Sequence, residues 1–474
     1  MVAEGGEFKY DPATKTLTMK DVTVSVGDGK DAIKNSDIEG LTIEVSGTNS
    51  LKGISGLSCL TSTEIKGNGS LTVASSNSAA VFVSSTTLTI SNITLEATGE
   101  WGIAGDDGNQ NETLIIKNAT VTAKGKTAAI ADLKTFTLEG CQIIAPEGAK
   151  WKAAEHAVVD AEGNPVKEVK IGLKYDLYIA GTQVTSLNCN VLGDIDDVTV
   201  ASGGEFKYDP ATKTLTMKDV TVSVGDGKDA IKNSGIEGLT IEVSGTNRLE
   251  TTNWSALACD ASTEIKGNGS LTVASSILVA VFVGSTTLTI SNITLEATGG
   301  WGIAGMDGNQ NETLIIKNAT VTAKGTTAAI ADLNTFTLEG CQIIAPAGAK
   351  WKDDQHAVVN ADESKAKEVR IEPELYIADK LITSLNCNAL KDIQGVTVAE
   401  GGEFKYDPAA KTLTMKDVTV SVGNDKNAIW NNGIEGLKIK VYGTNRLEAT
   451  NWSPLSCFAS TKIEGAGSFT TTSK

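Results

Sequence analysis

Polar side chains that could hold a ligand are concentrated in one loop, which directly follows Trp101. The loop supplies carboxylate and amide groups from Asp106, Asp107, Asn109, Asn111 and Glu112. Carboxylates are oxygen ligands of the kind that Ca²⁺ prefers, so Asp106, Asp107 and Glu112 form a candidate Ca²⁺ site. An aromatic ring beside a few convergent polar groups is also typical of a pocket for an organic ligand such as a sugar. The loop therefore predicts the binding of carbohydrate or of a cation.

The same loop recurs after Trp301, but Met306 stands where the first loop has Asp106. This substitution removes one candidate Ca²⁺ ligand and weakens the prediction of a metal site there. A second kind of loop, Thr-Asn-Trp-Ser, carries Trp254 and Trp452. The structural alternative is that the rings pack beneath their loops instead of against a ligand. The predicted carbohydrate contacts are Trp101, Asp107, Asn109, Asn111, Trp301, Asp307, Asn309, Asn311, Trp254 and Trp452.

The composition argues against catalysis. The chain has 2 His, and its only arginines are Arg248, Arg370 and Arg446. Polysaccharide lyases and hydrolases of the β-helix class need clustered carboxylates, usually with Ca²⁺, and an Arg or Lys partner. We therefore predict a non-enzymatic protein without a catalytic residue or cofactor, with a polysaccharide lyase or hydrolase as an alternative.

Charge and hydropathy exclude two further classes of partner. The formal net charge of the 474 residues is −17, which repels phosphate backbones and excludes nucleic acid as a partner. No run of 18 apolar residues occurs, so no membrane-spanning segment is predicted. The expected partners are polysaccharides or host and cell-surface glycans.

Long repeats organise the chain. The segment Gly5–Ser36 returns unchanged at Gly203–Ser234, and a third copy starts at Gly401. A short segment with the pattern Leu-Tyr-Ile-Ala, which we name the lead-in segment, precedes the second and third copies at Leu177 and Leu375. The predicted domains are residues 1–174 (unit one, without a lead-in segment), 175–373 (lead-in segment and unit two) and 374–474 (lead-in segment and a truncated unit three). Two full units of about 198–200 residues are thus followed by a partial one.

A shorter period of about 22–26 residues lies inside each unit and predicts the fold. Short strands of the type apolar–x–apolar recur, and Asn, Asp or Gly at many of their ends suits a left-handed corner. These segments predict an all-β, right-handed parallel β-helix, a solenoid of stacked turns. An antiparallel sandwich is the rival fold, but it needs hairpin turns at closer spacing. The strands of the first unit are Leu17–Met19, Leu41–Ile43, Thr63–Ile65, Leu88–Ile90, Leu114–Ile116, Phe136–Leu138 and Val169–Ile171.

The seven cysteines recur at matching places of the units. Cys59 and Cys141 lie three turns apart, too far for a disulfide, and Cys141 occupies an inward position of its turn. We therefore interpret the thiols as small buried apolar groups. The terminal turns of such a solenoid are unpaired edges, which predicts end-to-end self-association unless they are covered.

Three sequence blocks carry a resemblance to known proteins. They are the lead-in segment from Tyr175, the Tyr-Asp-Pro-Ala-Thr-Lys-Thr-Leu-Thr block at Tyr10 and Tyr208, and the Gly-Leu-Thr-Ile block followed by Gly-Thr-Asn. With these blocks the chain resembles β-helical surface proteins of gut bacteria that are labelled carbohydrate-binding domain-containing proteins. The resemblance implies a secreted or cell-surface protein that binds glycans or mediates adhesion. A structural spacer or adhesin stalk without a small ligand is the other alternative.

No signal peptide follows Met1, although the resemblance implies export. We therefore expect the sequence to be a truncated form of an extracellular or cell-surface protein.

Overall fold

The computed structural model describes residues 1–27, 29–108 and 110–473. It confirms the predicted all-β fold, a parallel β-solenoid of about 19 turns with 62% of the residues in strands and 3% in helices. Three successive copies of the repeat build it, and short 3-10 helices lie in the loops. None of the helices in the described ranges is long and apolar enough to cross a membrane.

The first copy contains eighteen strands in its described residues. They are β1 (Val2–Asp11), β2 (Thr16–Ser25), β3 (Ile33–Asn35), β4 (Leu41–Ser46), β5 (Thr48–Gly53), β6 (Leu57–Cys59), β7 (Thr63–Gly67), β8 (Ser70–Ser75), β9 (Ala79–Val83), β10 (Thr87–Ser91), β11 (Thr94–Ala104), β12 (Thr113–Lys117), β13 (Thr120–Ala131), β14 (Thr135–Glu139), β15 (Gln142–Ala145), β16 (Lys150–Lys152), β17 (Ala157–Val159) and β18 (Glu168–Gly172). A 3-10 helix covers Ala153–Glu155.

The second copy repeats this order and adds the two strands of its lead-in segment in front. Its strands are β19 (Lys174–Ile179), β20 (Thr182–Thr185), β21 (Val198–Asp209), β22 (Thr214–Val224), β23 (Ile231–Asn233), β24 (Leu239–Ser244), β25 (Thr246–Thr251), β26 (Leu257–Cys259), β27 (Thr263–Gly267), β28 (Ser270–Ser275), β29 (Val279–Val283), β30 (Thr287–Ser291), β31 (Thr294–Ala304), β32 (Thr313–Lys317), β33 (Thr320–Ala331), β34 (Thr335–Glu339), β35 (Cys341–Ala345), β36 (Lys350–Lys352), β37 (Ala357–Val359) and β38 (Glu368–Pro373). Its 3-10 helices are Leu192–Asp194 and Asp353–Gln355.

The third copy repeats the beginning of the second. Its strands are β39 (Leu375–Ile377), β40 (Lys380–Ile382), β41 (Val396–Asp407), β42 (Thr412–Asn424), β43 (Ile429–Asn431), β44 (Leu437–Tyr442), β45 (Thr444–Thr450), β46 (Leu455–Cys457), β47 (Thr461–Gly465) and β48 (Ser468–Ser473). A 3-10 helix covers Leu390–Asp392.

Stacked parallel strands form the core, as the apolar–x–apolar pattern predicts. In the pair β10–β12, Leu88 lies opposite Leu114 and Ile90 lies opposite Ile116. All four side chains are fully buried, whereas the alternate residues between them, Thr89 and Ile115, are only half-buried. Each turn thus buries its apolar residues against those of the next turn, while parallel pairing satisfies the backbone.

The corners between strands adopt the left-handed conformation that their residue types predict. Asp21, Asn92 and Asn118 have φ between 47° and 55°. A buried side-chain hydrogen bond stabilises the backbone next to the first of these corners, where Asn49 Oδ1 accepts from the backbone N–H of Val22 at 3.0 Å. Short polar side chains therefore both permit the corner and satisfy its backbone.

Antiparallel strands flank the parallel stack, which the sequence pattern did not predict. Val169 and Ile171 match the apolar–x–apolar pattern, but their strand β18 runs antiparallel to β13 instead of continuing the stack. At the other end, β1 forms an antiparallel hairpin with β2. Strands that run against the stack pair with its outer edges, which blocks further parallel addition there.

The lead-in strands also join the stack from the side. Strand β19 pairs antiparallel with β23, with Tyr178 opposite Lys232, and β39 pairs in the same way with β43, with Tyr376 opposite Trp430. Each lead-in segment therefore adds a lateral strand to the first turn of its copy. This placement brings its side chains next to outward side chains of the solenoid.

The chain divides into two compact units. One contains Met1–Tyr175 and Thr185–Leu187, and the other contains Asp176–Val184 and Asn188–Lys474. The second and third copies of the repeat thus belong together in one unit, which holds the site described below.

All seven cysteines are free thiols. Cys59 and Cys259 are fully buried, and burial raises the pKa of both thiols to about 12. Cys141 is half-buried and packs against the core, in keeping with its predicted inward position. The prediction of burial is wrong for Cys457, which is exposed because its strand β46 is the last strand of its sheet.

Candidate functional site

The rings of Trp101 and Trp301 support the loops that follow them. Each ring is half-buried. Trp101 packs against the buried side chains of Ala128, Ala131, Ala157 and Val159. Trp301 packs in the same way against Ala328, Ala331 and Ala357. A ring that packs against a small apolar cluster in this way stabilises the loop that follows it.

A buried glutamate organises each acidic loop. Glu112 is completely buried, and its Oε2 accepts a hydrogen bond from the backbone N–H of Gln110 at 3.0 Å. Glu312 repeats this contact with Gln310 at 2.9 Å. The Oε1 atoms of both glutamates have no hydrogen-bond partner among the described residues. The second loop keeps this arrangement with Met306 in place of an aspartate, so the arrangement is independent of residue 106.

The other predicted loop residues lie at the surface. Asp106 is exposed, and its Oδ2 accepts a hydrogen bond from Ser84 Oγ at 2.6 Å. Asp307 Oδ1 accepts one from the backbone N–H of Asn309 at 2.9 Å. Within the ranges that the structure describes, no three His, Cys, Asp or Glu residues form a group that could hold a metal ion. Asn109 lies outside the described residues, while Asp107, Asn111 and Asn311 are exposed.

Trp254 and Trp452 are the predicted tryptophans that face solvent. Their exposed fractions are 47% and 50%. The loop of each is tied to the neighbouring turn, because its backbone carbonyl accepts a hydrogen bond from the hydroxyl of Ser275 at 2.7 Å or of Ser473 at 3.0 Å. A large ring held at the surface by its backbone is free to contact a ligand.

Next to Trp452 lies an aromatic platform that the sequence analysis did not identify. Its centre is Trp430 on β43, which lies between Tyr376 on the lead-in strand β39 and Ser456 on β46. The Trp430 and Tyr376 rings stack with centroids 4.9 Å apart and an interplanar angle of 19°. Phe458 meets Trp430 edge-on, with centroids 6.3 Å apart. Strand pairing therefore assembles one aromatic surface from three separate segments.

This platform forms one wall of a cleft of about 380 Å³, which we name the Trp430 cleft. Its aromatic lining is accompanied by carboxylate, amide, hydroxyl and ammonium groups. Lys426 and Asp379 form an ion pair at its margin, with 3.3 Å between Nζ and Oδ2. The Nε1–H of Trp430 is buried and has no acceptor among the described residues. The cleft is lined by Tyr376, Asp379, Asp425, Lys426, Asn427, Trp430, Trp452, Ser453, Ser456 and Phe458.

The corresponding face of the second copy has a different chemistry. Lys232 occupies the position of Trp430, and Asp260 occupies that of Phe458. The two form an ion pair with 3.1 Å between Nζ and Oδ2. Burial raises the pKa of the nearby Asp229 carboxyl to about 6, although Lys232, the backbone N–H of Ser255 and the Trp254 side chain all oppose the shift.

A signal for this site was present in the sequence, in the differences between copies. Lys34 and Lys232 become Trp430, and Leu60 and Asp260 become Phe458.

Comparison of the chain with known proteins found no matching family model, no matching curated protein and no matching solved structure.

Proposed function

We propose that the protein is a non-enzymatic, extracellular or cell-surface repeat protein that binds carbohydrate, and that the Trp430 cleft is its binding site. The observation that supports this proposal most is the aromatic surface formed by the half-buried rings of Tyr376 and Trp430 and the exposed ring of Phe458. It lies beside Trp452 in the same cleft. The cleft has the size and the mixture of apolar and polar groups that small-ligand pockets share.

The chemistry of the cleft suits a sugar. One face of a pyranose ring carries C–H groups, which can lie on an aromatic ring, while its hydroxyls need hydrogen-bond partners at the rim. The stacked pair of Trp430 and Tyr376 offers the apolar surface. Asp425, Asn427 and Ser453 line the same cleft and carry polar groups for the hydroxyls.

The exposed rings also favour a binding role on energetic grounds. Phe458 is 77% exposed and Trp452 is 50% exposed. Burying apolar surface is worth about 25 cal/mol per Å². A partner that covers apolar rings clustered at the surface therefore lowers the free energy of the complex.

The two acidic loops have a different role in this proposal. Trp101 and Trp301 are packed against alanine clusters, and Glu112 holds the backbone of its loop. We therefore assign these residues to the support of the loops. A structural spacer remains a second candidate, because nearly identical copies such as Gly5–Ser36 and Gly203–Ser234 add length.

Affinity gel electrophoresis against a panel of neutral and acidic polysaccharides tests the proposal. The chain is run with and without EDTA, as wild type and as the variant Trp430→Ala. Lys232→Ala is the matched control at the same position of the second copy. We expect at least one polymer to retard the wild type and Lys232→Ala but not Trp430→Ala, independent of EDTA.

Three other outcomes would favour a different site or reject carbohydrate binding. Retardation that EDTA abolishes would favour a Ca²⁺ site at Asp106, Asp107 and Glu112 over the Trp430 cleft. Retardation of Trp430→Ala that equals that of the wild type would reject this cleft as the site. No retardation by any polymer would reject carbohydrate binding and favour the spacer.

A further inference from the structure

A second and larger cleft adjoins the Trp430 cleft on the third copy. Its volume is about 980 Å³, and it lies between the lead-in segment, the 3-10 helix Leu390–Asp392 and the end of β42. Asp379 and Lys426 line both clefts. The two clefts therefore meet at this ion pair, and we name them together the groove.

The ion pair occupies a position where the second copy has a glycine. Asp379 has φ of 67°, and its counterpart Gly181 has φ of 77°. A side chain in this left-handed region costs conformational energy that glycine avoids. The Asp379–Lys426 pair is about half exposed, so its contribution to stability is small, on the order of 0–1 kcal/mol. The ion pair therefore contributes too little to stability to explain why the Asp379 carboxylate replaces a glycine at this place in the groove.

The walls of the larger cleft carry polar side chains that are available to a ligand. Asp392, Gln394 and Asn424 are exposed and line this cleft. Their side chains make no hydrogen bond or ion pair with other residues in the described ranges. Groups of this kind can bind the hydroxyls of a sugar at the cost of displaced water.

On the basis of the proposed function, we infer that the groove binds an extended chain of a neutral polysaccharide. One part of the chain stacks on Trp430 and Tyr376, the next crosses the Asp379–Lys426 pair, and a further part is hydrogen-bonded by Asp392 and Asn424. The aromatic part supplies most of the affinity, and the polar part selects for chain length.

The charge of the groove specifies a neutral polymer. Three carboxylates, Asp379, Asp392 and Asp425, face two ammonium groups, Lys380 and Lys426. The chain as a whole has a formal net charge of −17. The excess of carboxylates over ammonium groups in the groove and the negative charge of the whole chain both repel a polymer of uronic acids. Such polymers are therefore expected to bind more weakly than neutral ones.

Titration calorimetry with oligosaccharides of increasing length tests this inference. The probes are oligomers of two to eight sugars cut from the neutral polysaccharide that retards the wild type most. We expect the affinity of the wild type to rise at least about tenfold between the two-sugar and six-sugar oligomers, because the longer oligomer reaches the second cleft. The variant Asp392→Ala/Asn424→Ala is expected to lose this gain while it keeps the affinity for the two-sugar oligomer.

Asp194→Ala/Asp226→Ala, at the same positions of the second copy, is the matched control and should behave as the wild type. An affinity that stays constant from two to six sugars would overturn the extended groove and leave the Trp430 cleft intact. Tighter binding of a uronic-acid polymer than of every neutral one would overturn the neutral class. An equal loss for short and long oligomers in Asp392→Ala/Asn424→Ala would also contradict the inference, whereas no binding of any polymer would reject the proposed function itself.

Discussion

The second and third copies place different chemistry on the same backbone. In both copies the tyrosine of the lead-in segment lies opposite the middle residue of a three-residue strand, Lys232 in one and Trp430 in the other. Lys232 forms an ion pair with Asp260, whereas Trp430 contacts Phe458. The exchange of two outward residues thus converts an ionic surface into an aromatic one.

This difference shows which positions carry the fold. The residues on either side of the variable position are Ile231 and Asn233 in the second copy, and Ile429 and Asn431 in the third. All four are fully buried, and their types are identical in the two copies. Inward positions are constrained by packing, while outward positions are free to acquire a ligand surface.

The largest expected effect follows from making the third copy like the second. In Trp430→Lys/Phe458→Asp, the affinity for the polysaccharide that binds the wild type should fall at least about thirtyfold. The loss of ring contacts with the ligand and of the apolar area that the ligand buries reduces the binding free energy by about 2 kcal/mol. The free energy of unfolding should change by less than about 1 kcal/mol, because both positions point outward and the second copy carries the Lys–Asp ion pair there on the same backbone. Calorimetry and urea unfolding measure both quantities, and a folded variant with unchanged affinity would contradict the assignment of the site.

A tryptophan that supports a loop should behave in the opposite way. Trp301→Ala is expected to lower the free energy of unfolding by about 2 kcal/mol, because it opens a void against Ala328, Ala331 and Ala357. Its affinity for the polymer should stay at the value of the wild type. Urea unfolding followed by circular dichroism and a binding titration check these effects. Lost affinity in a fully folded variant would return the binding role to the loop after Trp301.

The ionic face of the second copy predicts a dependence of stability on pH. The Asp229 carboxyl has a pKa of about 6 in the folded chain against a usual value of 3.8, mainly because it is buried. Its protonated form is thus favoured by folding, and this stabilisation is lost as the pH rises from about 4 to 6. Asp229→Asn, which introduces the residue of the third copy at position 427, should raise the free energy of unfolding by about 1 kcal/mol at pH 7. The difference from the wild type should vanish near pH 4, and a constant difference at both pH values would contradict this account.

The smallest expected effect concerns the rim of the cleft. Trp452→Ala should weaken polymer binding about threefold, because the ring lies at the edge of the Trp430 cleft and is half exposed already. Trp254→Ala, the matched change in the second copy, should leave the affinity unchanged. Titration calorimetry resolves both, and an equal loss in the two variants would show that the site is not confined to the third copy.

Much of the fold follows from the sequence, because apolar alternation and left-handed corners are local signals. Leu88 and Ile90 lie inward as their spacing predicts, and Asn92 occupies a corner. The direction of the strand that contains Val169 and Ile171 could not be predicted from the sequence, because apolar alternation is the same in a parallel and an antiparallel strand.

The site was harder to predict than the fold. The Thr-Asn-Trp-Ser loops identify Trp452 as a candidate contact, and the structure places its half-exposed ring at the Trp430 cleft. Trp430 lies in a strand whose local pattern, Ile-Trp-Asn, carries no sign of a ligand. Its partners Tyr376 and Phe458 lie far from it in the sequence and reach it only through strand pairing. The sequence shows such a site only in the differences between copies, where Trp430 replaces Lys232 and Phe458 replaces Asp260.

Transfer of the aromatic surface to the second copy tests most directly whether outward side chains alone decide binding. The starting chain carries Trp430→Lys/Phe458→Asp, and the transfer adds Lys232→Trp and Asp260→Phe beside Tyr178 and Trp254. Calorimetry with the polysaccharide that binds the wild type should show one recovered site, with an affinity within about tenfold of the original. A folded chain that still binds no polymer would contradict the account.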